Sequence, residues 1–199
     1  MKVTAIKPQV KRANRYSIFI DGKYSFSLPE TELIELKLKV GQAIDQADLD
    51  KFNGEVTYSK AKNSCFKLLS YRARSSGEIK EYLKRKGYDE EIITRVIDFL
   101  NDKKFLDDEA FAKTWVESRV AIKHLSIRQI KNELRQKNIN SEIINKVIEE
   151  QDIDEEKLIL EIIDKKRSQL KYRDDLKLMQ YLSRRGFSYD KISNAIKTK

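Results

Sequence analysis

The chain has 199 residues, 40% of them hydrophobic and 37% charged, with two prolines, six glycines and a formal net charge of +9. That length holds one large domain or two small ones around a real core, and so few helix breakers favour long charged helices over a loop-rich sheet protein or a disordered chain. No run reaches the roughly eighteen apolar residues of a membrane span, and the start MKVTAIKPQVKR lacks an apolar stretch of signal-peptide length, so a cytoplasmic protein is expected.

The segment RYSIFIDGKYSFSL, residues 15 to 28, places Asp21-Gly22 between two runs of period-two alternation, which predicts a hairpin with a type I′ turn. Tyr16, Ile18 and Ile20 are expected on one face of its first strand, and Tyr24, Phe26 and Leu28 on one face of its second. A strand around Val3 to Ile6 would complete a small sheet. Pro29 with Glu30 and Glu32 reads as a helix start, with Leu33, Ile34 and Leu36 available to cover that sheet. Lys11, Arg12 and Arg15 form a basic stretch beside the hairpin, either a solvated loop or a contact for phosphate or an acidic surface.

From about residue 60 the chain repeats itself, with copies containing GEIKEYLKRKGYDEEIITRVIDFL, RQIKNELRQKNINSEIINKVIEE and LKLMQYLSRRGFSYDKISNAIK at offsets of 51 and 48 residues. Ile79 matches Ile130 and Leu178; Leu83 matches Leu134 and Leu182; Ile93 matches Ile144 and Ile192. These spacings of three and four give two amphipathic helices per copy. Gly87, Asn138 and Gly186 sit where the first of them must stop in a left-handed residue, and Tyr88, Ile139 and Phe187 follow, placed to fold back on it. A longer helix precedes each pair, with apolar stripes Cys65, Phe66, Leu69, Ala73, then Phe111, Trp115, Ser118, Ile122, then Leu160, Ile163, Arg167, Leu170. The expectation is a mainly α protein of three tandem three-helix, helix-turn-helix-like repeats forming a curved elongated rod, preceded by a small β unit. The expected division is 1–54, 55–106, 107–156 and 157–199.

Charge alternates along this series. Residues 1–27 carry +5, 28–112 carry −2, 113–141 carry +5, 142–164 carry −7 and 165–199 carry +8. An excess of cations implies an anionic partner, and the alternation suits a mixed protein and nucleic-acid assembly better than bare DNA.

Enzyme signatures are lacking. No GxxxxGK[ST] loop is present, so nucleotide hydrolysis is not expected. One histidine, His124, and one cysteine, Cys65, leave no triad, zinc set or internal disulfide to build, and Cys65 beside Phe66 is expected to be a buried thiol. The trio Asp107-Asp108-Glu109 precedes the Phe111 helix and is expected to cap it, not to hold a metal. Glu149, Glu150, Asp152, Asp154, Glu155 and Glu156 are expected to be a connector and helix start. No cofactor is implied.

The candidate binding residues are basic. Arg72 and Arg74 are expected to end the first long helix and Arg119 and Lys123 to lie on the second; Lys84, Arg85 and Lys86 recur as Arg135 and Lys137 and again as Arg184 and Arg185, with Arg128 on the second copy. Cations in a last helical turn also favour the helix dipole, so both a structural and a binding role fit them. Trp115 shares the Phe111 stripe and is expected in the core.

The stretch Phe105-Leu106-Asp107-Asp108-Glu109-Ala110-Phe111-Ala112, continuing through Trp115-Val116 to Ser118-Arg119, resembles the most distinctive signature of the RecX family. So do Leu69, Arg72, Arg74 and Ser75 leading to Glu78-Ile79 and Leu83, and Arg128, Ile130, Glu133-Leu134 and Lys137. The resemblance covers residues 60 to 199, and the β segment is similar to that of the longer Gram-positive members; copy three departs most, with Lys-Tyr-Arg-Asp-Asp at 171 to 175. The resemblance implies a modulator, not a catalyst: a protein that lodges in the groove of the RecA filament on single-stranded DNA and inhibits its ATP hydrolysis, strand exchange and growth. A monomer is expected, since there is no coiled-coil seam. The competing reading is an autonomous DNA-binding module of tandem helix-turn-helix units, against which Glu78, Glu81 and Glu133 would face phosphate repulsion.

Overall fold

A computed structural model describes residues 1–10 and 14–198. Among them are three strands and ten α-helices, arranged as an N-terminal sheet followed by three helical triplets. Two compact units are present: Met1–Arg72 with Leu83–Phe99, and Ala73–Tyr82 with Leu100–Lys199.

In the first unit, β1 (Val3–Pro8), β2 (Arg15–Ile20) and β3 (Lys23–Pro29) form an antiparallel meander in the order β1-β2-β3. Asp21 (φ 48) and Gly22 (φ 77) are both left-handed, as a type I′ turn requires. Ile18, Ile20, Phe26 and Leu28 are buried, but Tyr24 is 58% exposed, contrary to the simple alternation. The reason is a bulge: Ile18 pairs with Phe26 and Phe19 with Tyr24, so Ser25 is the extra residue and everything before it changes face. Tyr24 instead meets Phe19 edge-on, with ring centroids 6.0 Å apart.

The helix α1 (Glu30–Glu35) starts after Pro29 as expected. Leu33 and Leu36 pack on the sheet core, whereas Ile34 is exposed and Glu32 is buried, 3.7 Å from the ammonium of Lys62. The helix α2 (Gln46–Leu69) runs for 24 residues from a reciprocal cap between Asp45 and Asp48. Its first half contributes Phe52 and Val56 to the sheet core. Its second half buries Ala61 and Cys65.

Each following pair of helices turns as the repeats require. After α3 (Ser76–Arg85), α6 (Ile127–Gln136) and α9 (Asp175–Arg184), the left-handed residues are Gly87 (φ 80), Asn138 (φ 54) and Gly186 (φ 90). Tyr88 and Ile139 donate their amides back to Leu83 and Leu134, which closes the carbonyl end of the helix. The partner helices are α4 (Glu90–Asp102), α7 (Ser141–Glu150) and α10 (Tyr189–Thr198).

In the second unit, α5 (Asp108–Ser118) starts on the Asp107 side chain, which accepts the Ala110 amide at 2.8 Å. It opens into a π turn over Arg119–Lys123 and ends at His124 in a left-handed conformation. That wide turn carries Ile122 out to 75% exposure, so the apolar stripe stops one turn earlier than its spacing predicts. The helix α8 (Glu155–Arg167) behaves similarly, with Leu170 beyond its end and exposed. Ala112, Val116, Ile130, Leu134, Ile144 and Val147 form the core of the second repeat, and Ile159, Ile163, Leu178, Leu182 and Ile192 belong to that of the third.

Candidate functional site

Successive repeats in the second unit are stitched by one recurring joint. The start of α3 meets the end of α6, where Ser75 Oγ donates to the Lys137 carbonyl at 2.7 Å and Lys137 Nζ reaches Glu78 at 3.2 Å. The start of α6 meets the end of α9, where the Ser126 amide donates to the Arg185 carbonyl at 3.0 Å. Each joint has a glycine where the backbones approach. A Cβ on Gly77 would lie 2.3 Å from Asn138 Cβ, and one on Gly186 would lie 2.4 Å from Ser126 Oγ.

Beside the first joint lies a stack of rings and cations. Phe111 and Trp115 are stacked at 5.7 Å, the Arg119 guanidinium lies 3.8 Å from the Trp115 ring centroid, and Lys137 Nζ lies 4.2 Å from it. Glu133 takes hydrogen bonds from Trp115 Nε1 at 2.9 Å and from Arg119 Nε at 2.6 Å. Glu78 serves Lys137 and lies 3.8 Å from Arg74. Trp115 is therefore half-buried and held, not sealed in the core.

This geometry sorts the candidate basic residues. Arg74, Arg119, Lys137 and Arg185 are half-buried and engaged with carboxylates or rings, and Arg15 is tied to Ser27 by two hydrogen bonds. Arg72, Lys84, Arg85, Lys86, Lys123, Arg128, Arg135 and Arg184 are exposed; Lys84 approaches Glu90 at 3.5 Å and Arg135 bonds Asn132. Arg72 and Arg74 lie past the end of α2, and Lys123 lies in the π turn. Lys11 and Arg12 fall outside the described residues.

A second cationic and aromatic cluster, on the third repeat, was not singled out by the sequence. Tyr172 and Tyr181 have ring centroids 5.1 Å apart. Lys166 Nζ is 5.4 and 4.9 Å from the two rings, Lys171 Nζ is 5.6 Å from Tyr172, and the Arg185 guanidinium is 4.6 Å from Tyr181. The signal for it is the 48-residue offset, which sets Tyr181 against Glu133, Arg185 against Lys137 and Arg167 against Arg119.

The acidic residues are used structurally. Asp108 accepts the Ser76 amide at 2.7 Å, and burial raises its carboxyl from its ordinary value. Glu109 pairs with Lys146 at 2.6 Å. Asp154 caps α8, and Glu155 receives both the Ile127 amide at 2.7 Å and Lys191 at 2.6 Å. Among the described residues no group of His, Cys, Asp and Glu could hold a metal, and no helix is long and apolar enough to cross a membrane.

Family models for the RecX N-terminal domain, the first three-helix domain and the second three-helix domain match residues 1–45, 61–100 and 107–148. The regulatory proteins RecX of Oceanobacillus iheyensis and Bacillus subtilis are 33% and 34% identical to the chain over 98% of its length, and the match spans 75% of each of them. The chain belongs to the RecX family. A crystal structure of a regulatory protein RecX matches all of it with a TM-score of 0.77 at 27% identity, covering 99% of that chain. RecX from Lactobacillus salivarius shares the fold, with a TM-score of 0.61 over 71% of this chain and 96% of its own. These relatives are named as regulatory proteins and not as an enzyme family.

The stretch from Phe105 to Arg119 has a definite physical content. Leu106 is buried, Asp107 caps α5, Asp108 holds the start of α3, Phe111 and Trp115 stack, and Arg119 closes over the tryptophan. It flanks the joint between the start of α3 and the end of α6, which Asp108 reaches directly through the Ser76 amide.

Proposed function

We propose that this chain binds the RecA filament on single-stranded DNA and inhibits its ATPase, strand exchange and filament growth, so that it restrains recombination and repair in the cytoplasm as a non-enzymatic monomer. The observation that carries the proposal is the match to regulatory RecX proteins along nearly the whole chain. A helical repeat array supports it physically, because each unit adds a modest contact and linked contacts gain from high effective concentration. The exposed cations Arg72, Lys84, Arg85, Lys86, Lys123, Arg128, Arg135 and Arg184 are the proposed contacts to an acidic RecA surface or to phosphate. Lys137 contributes first by holding the first joint through Glu78, while Arg74 and Arg119 contribute by pairing with Glu78 and Glu133 beside it, and Arg15 is secondary.

The test is RecA's DNA-stimulated ATP hydrolysis with the full chain titrated onto preformed filaments. Hydrolysis should fall, with no turnover by the chain alone. Unchanged hydrolysis at saturating chain would refute the proposal.

A further inference from the structure

The two joints are built alike but charged differently. At the first, Glu78 and Glu133 neutralise Lys137 and Arg119. At the second, the repeat offsets put Gln129 in the place of Glu78 and Tyr181 in the place of Glu133, so both carboxylates are gone. Their cationic counterparts remain as Arg185 and Arg167. Arg167 finds Asp175 at 2.7 Å. Among the described residues, Lys166, Lys171 and Arg185 have no carboxylate partner and are held against the tyrosines. Residues 165–199 carry +8, the strongest positive charge of any stretch of the chain.

We propose that the third repeat carries a binding site for single-stranded nucleic acid, formed by Lys166, Lys171 and Arg185 around the paired rings of Tyr172 and Tyr181. Phosphates supply the negative charge that the missing carboxylates do not, and phenol rings give unpaired bases an aromatic partner. An acidic peptide would satisfy the cations but make no use of the rings. Lys165, Arg173 and Arg184, their near neighbours in sequence, are exposed and add to the positive charge of this repeat. The site is independent of the recombinase reading, since it requires only bare strand.

The test uses the full chain and a fluorescein-labelled oligothymidylate, titrated by anisotropy at low and physiological salt with no recombinase present. The triple variant Lys166→Gln, Lys171→Gln, Arg185→Gln should bind more weakly, with a log affinity against log salt slope shallower by about 2, because each phosphate contact on a single strand contributes about 0.7. Tyr181→Glu and Gln129→Glu each restore a carboxylate found at the first joint and should lower affinity, by about tenfold at low salt for the former. Gln129→Glu leaves the half-buried tyrosine intact, so it reads the charge effect even where Tyr181→Glu lowers the melting temperature. Unchanged affinity and slope in the triple variant and in Gln129→Glu would overturn the site. An equal loss on neutralising Lys84, Arg85 and Lys86 would overturn its assignment to the third repeat, and displacement by polyglutamate at equal charge concentration would assign the surface to an acidic peptide instead.

Discussion

The hydroxyl of Ser75 donates a 2.7 Å hydrogen bond to the carbonyl of Lys137, 62 residues further along the chain. The same oxygen accepts the Glu78 amide at 3.1 Å, so one buried side chain starts α3 and satisfies the end of α6. Ser126, its counterpart at the next joint, accepts the Gln129 amide with its hydroxyl but reaches Arg185 through backbone.

The two serines should therefore differ on truncation. Ser75→Ala loses a cap and a cross-repeat hydrogen bond and should cost about 2 kcal/mol, whereas Ser126→Ala loses only a cap and should cost about 1 kcal/mol. Urea unfolding of the two variants measures the difference. Equal losses would mean that the Lys137 carbonyl finds another donor.

Alanine at three glycines separates crowding from backbone strain. Gly77→Ala improves helix propensity by about 1 kcal/mol, but its Cβ would collide with Asn138, and the clash should win with a net loss of about 1–3 kcal/mol. Gly87→Ala meets nothing within 4 Å and should cost only the left-handed conformation, about 1 kcal/mol. Gly186→Ala suffers both and should be the worst. Adding Asn138→Gly to Gly77→Ala should recover part of the loss, and thermal melts order the set.

Trp115 is the single tryptophan, so its fluorescence reports on the first joint alone. Glu133→Ala leaves the indole N–H and the Arg119 guanidinium without their shared acceptor. The variant should lose about 2 kcal/mol of stability and shift the tryptophan emission. An unaltered spectrum would show that water or another acceptor replaces the carboxylate without cost.

Burial pushes the Cys65 thiol up to about 11 from an ordinary value near 9. The folded state thus favours the protonated form: its stability is fully present below about pH 9 and is lost as pH rises toward 11. Subtracting the pH profile of Cys65→Ala from that of the parent chain isolates this component from lysine and tyrosine titration. The difference should be flat to pH 9 and then decline. Thiol reagents should label the native chain only at the rate of unfolding.

Reversing the charge of Lys84, Arg85 and Lys86 together should weaken inhibition of the RecA ATPase, and the loss should shrink at high salt if Coulomb attraction is its origin. Circular dichroism should be unchanged, since all three side chains are exposed. Full inhibition by this variant would return the trio to a solvated face.

Features set by local chemistry were legible in the sequence. The Asp21-Gly22 turn, the left-handed stops at Gly87, Asn138 and Gly186, and the Asp107 cap each depend on a few neighbouring residues. What required the structure was longer in range or one residue out of step. Period-two counting cannot see the bulge that turns Tyr24 outward, nor helical spacing the π turn that exposes Ile122. Burial of Glu32 follows from Lys62 on another helix. Basic residues looked equivalent because their fates depend on partners in other helices: Lys137 meets Glu78 and Trp115, while Arg135, two residues before it, is exposed.

The single glycine at each joint sets rules for rearranging the chain. The first joint places Gly77 against Asn138, while the second places the stretch containing Ser126, Arg128 and Gln129 against Gly186. Duplicating the second repeat in tandem would set that bulky stretch against Asn138, with no glycine on either side. Deleting it would bring Gly77 to Gly186, with two. An array lengthened by copying its middle would therefore fail at the new seam until one side mutated to glycine, whereas one shortened by excision would join with room to spare.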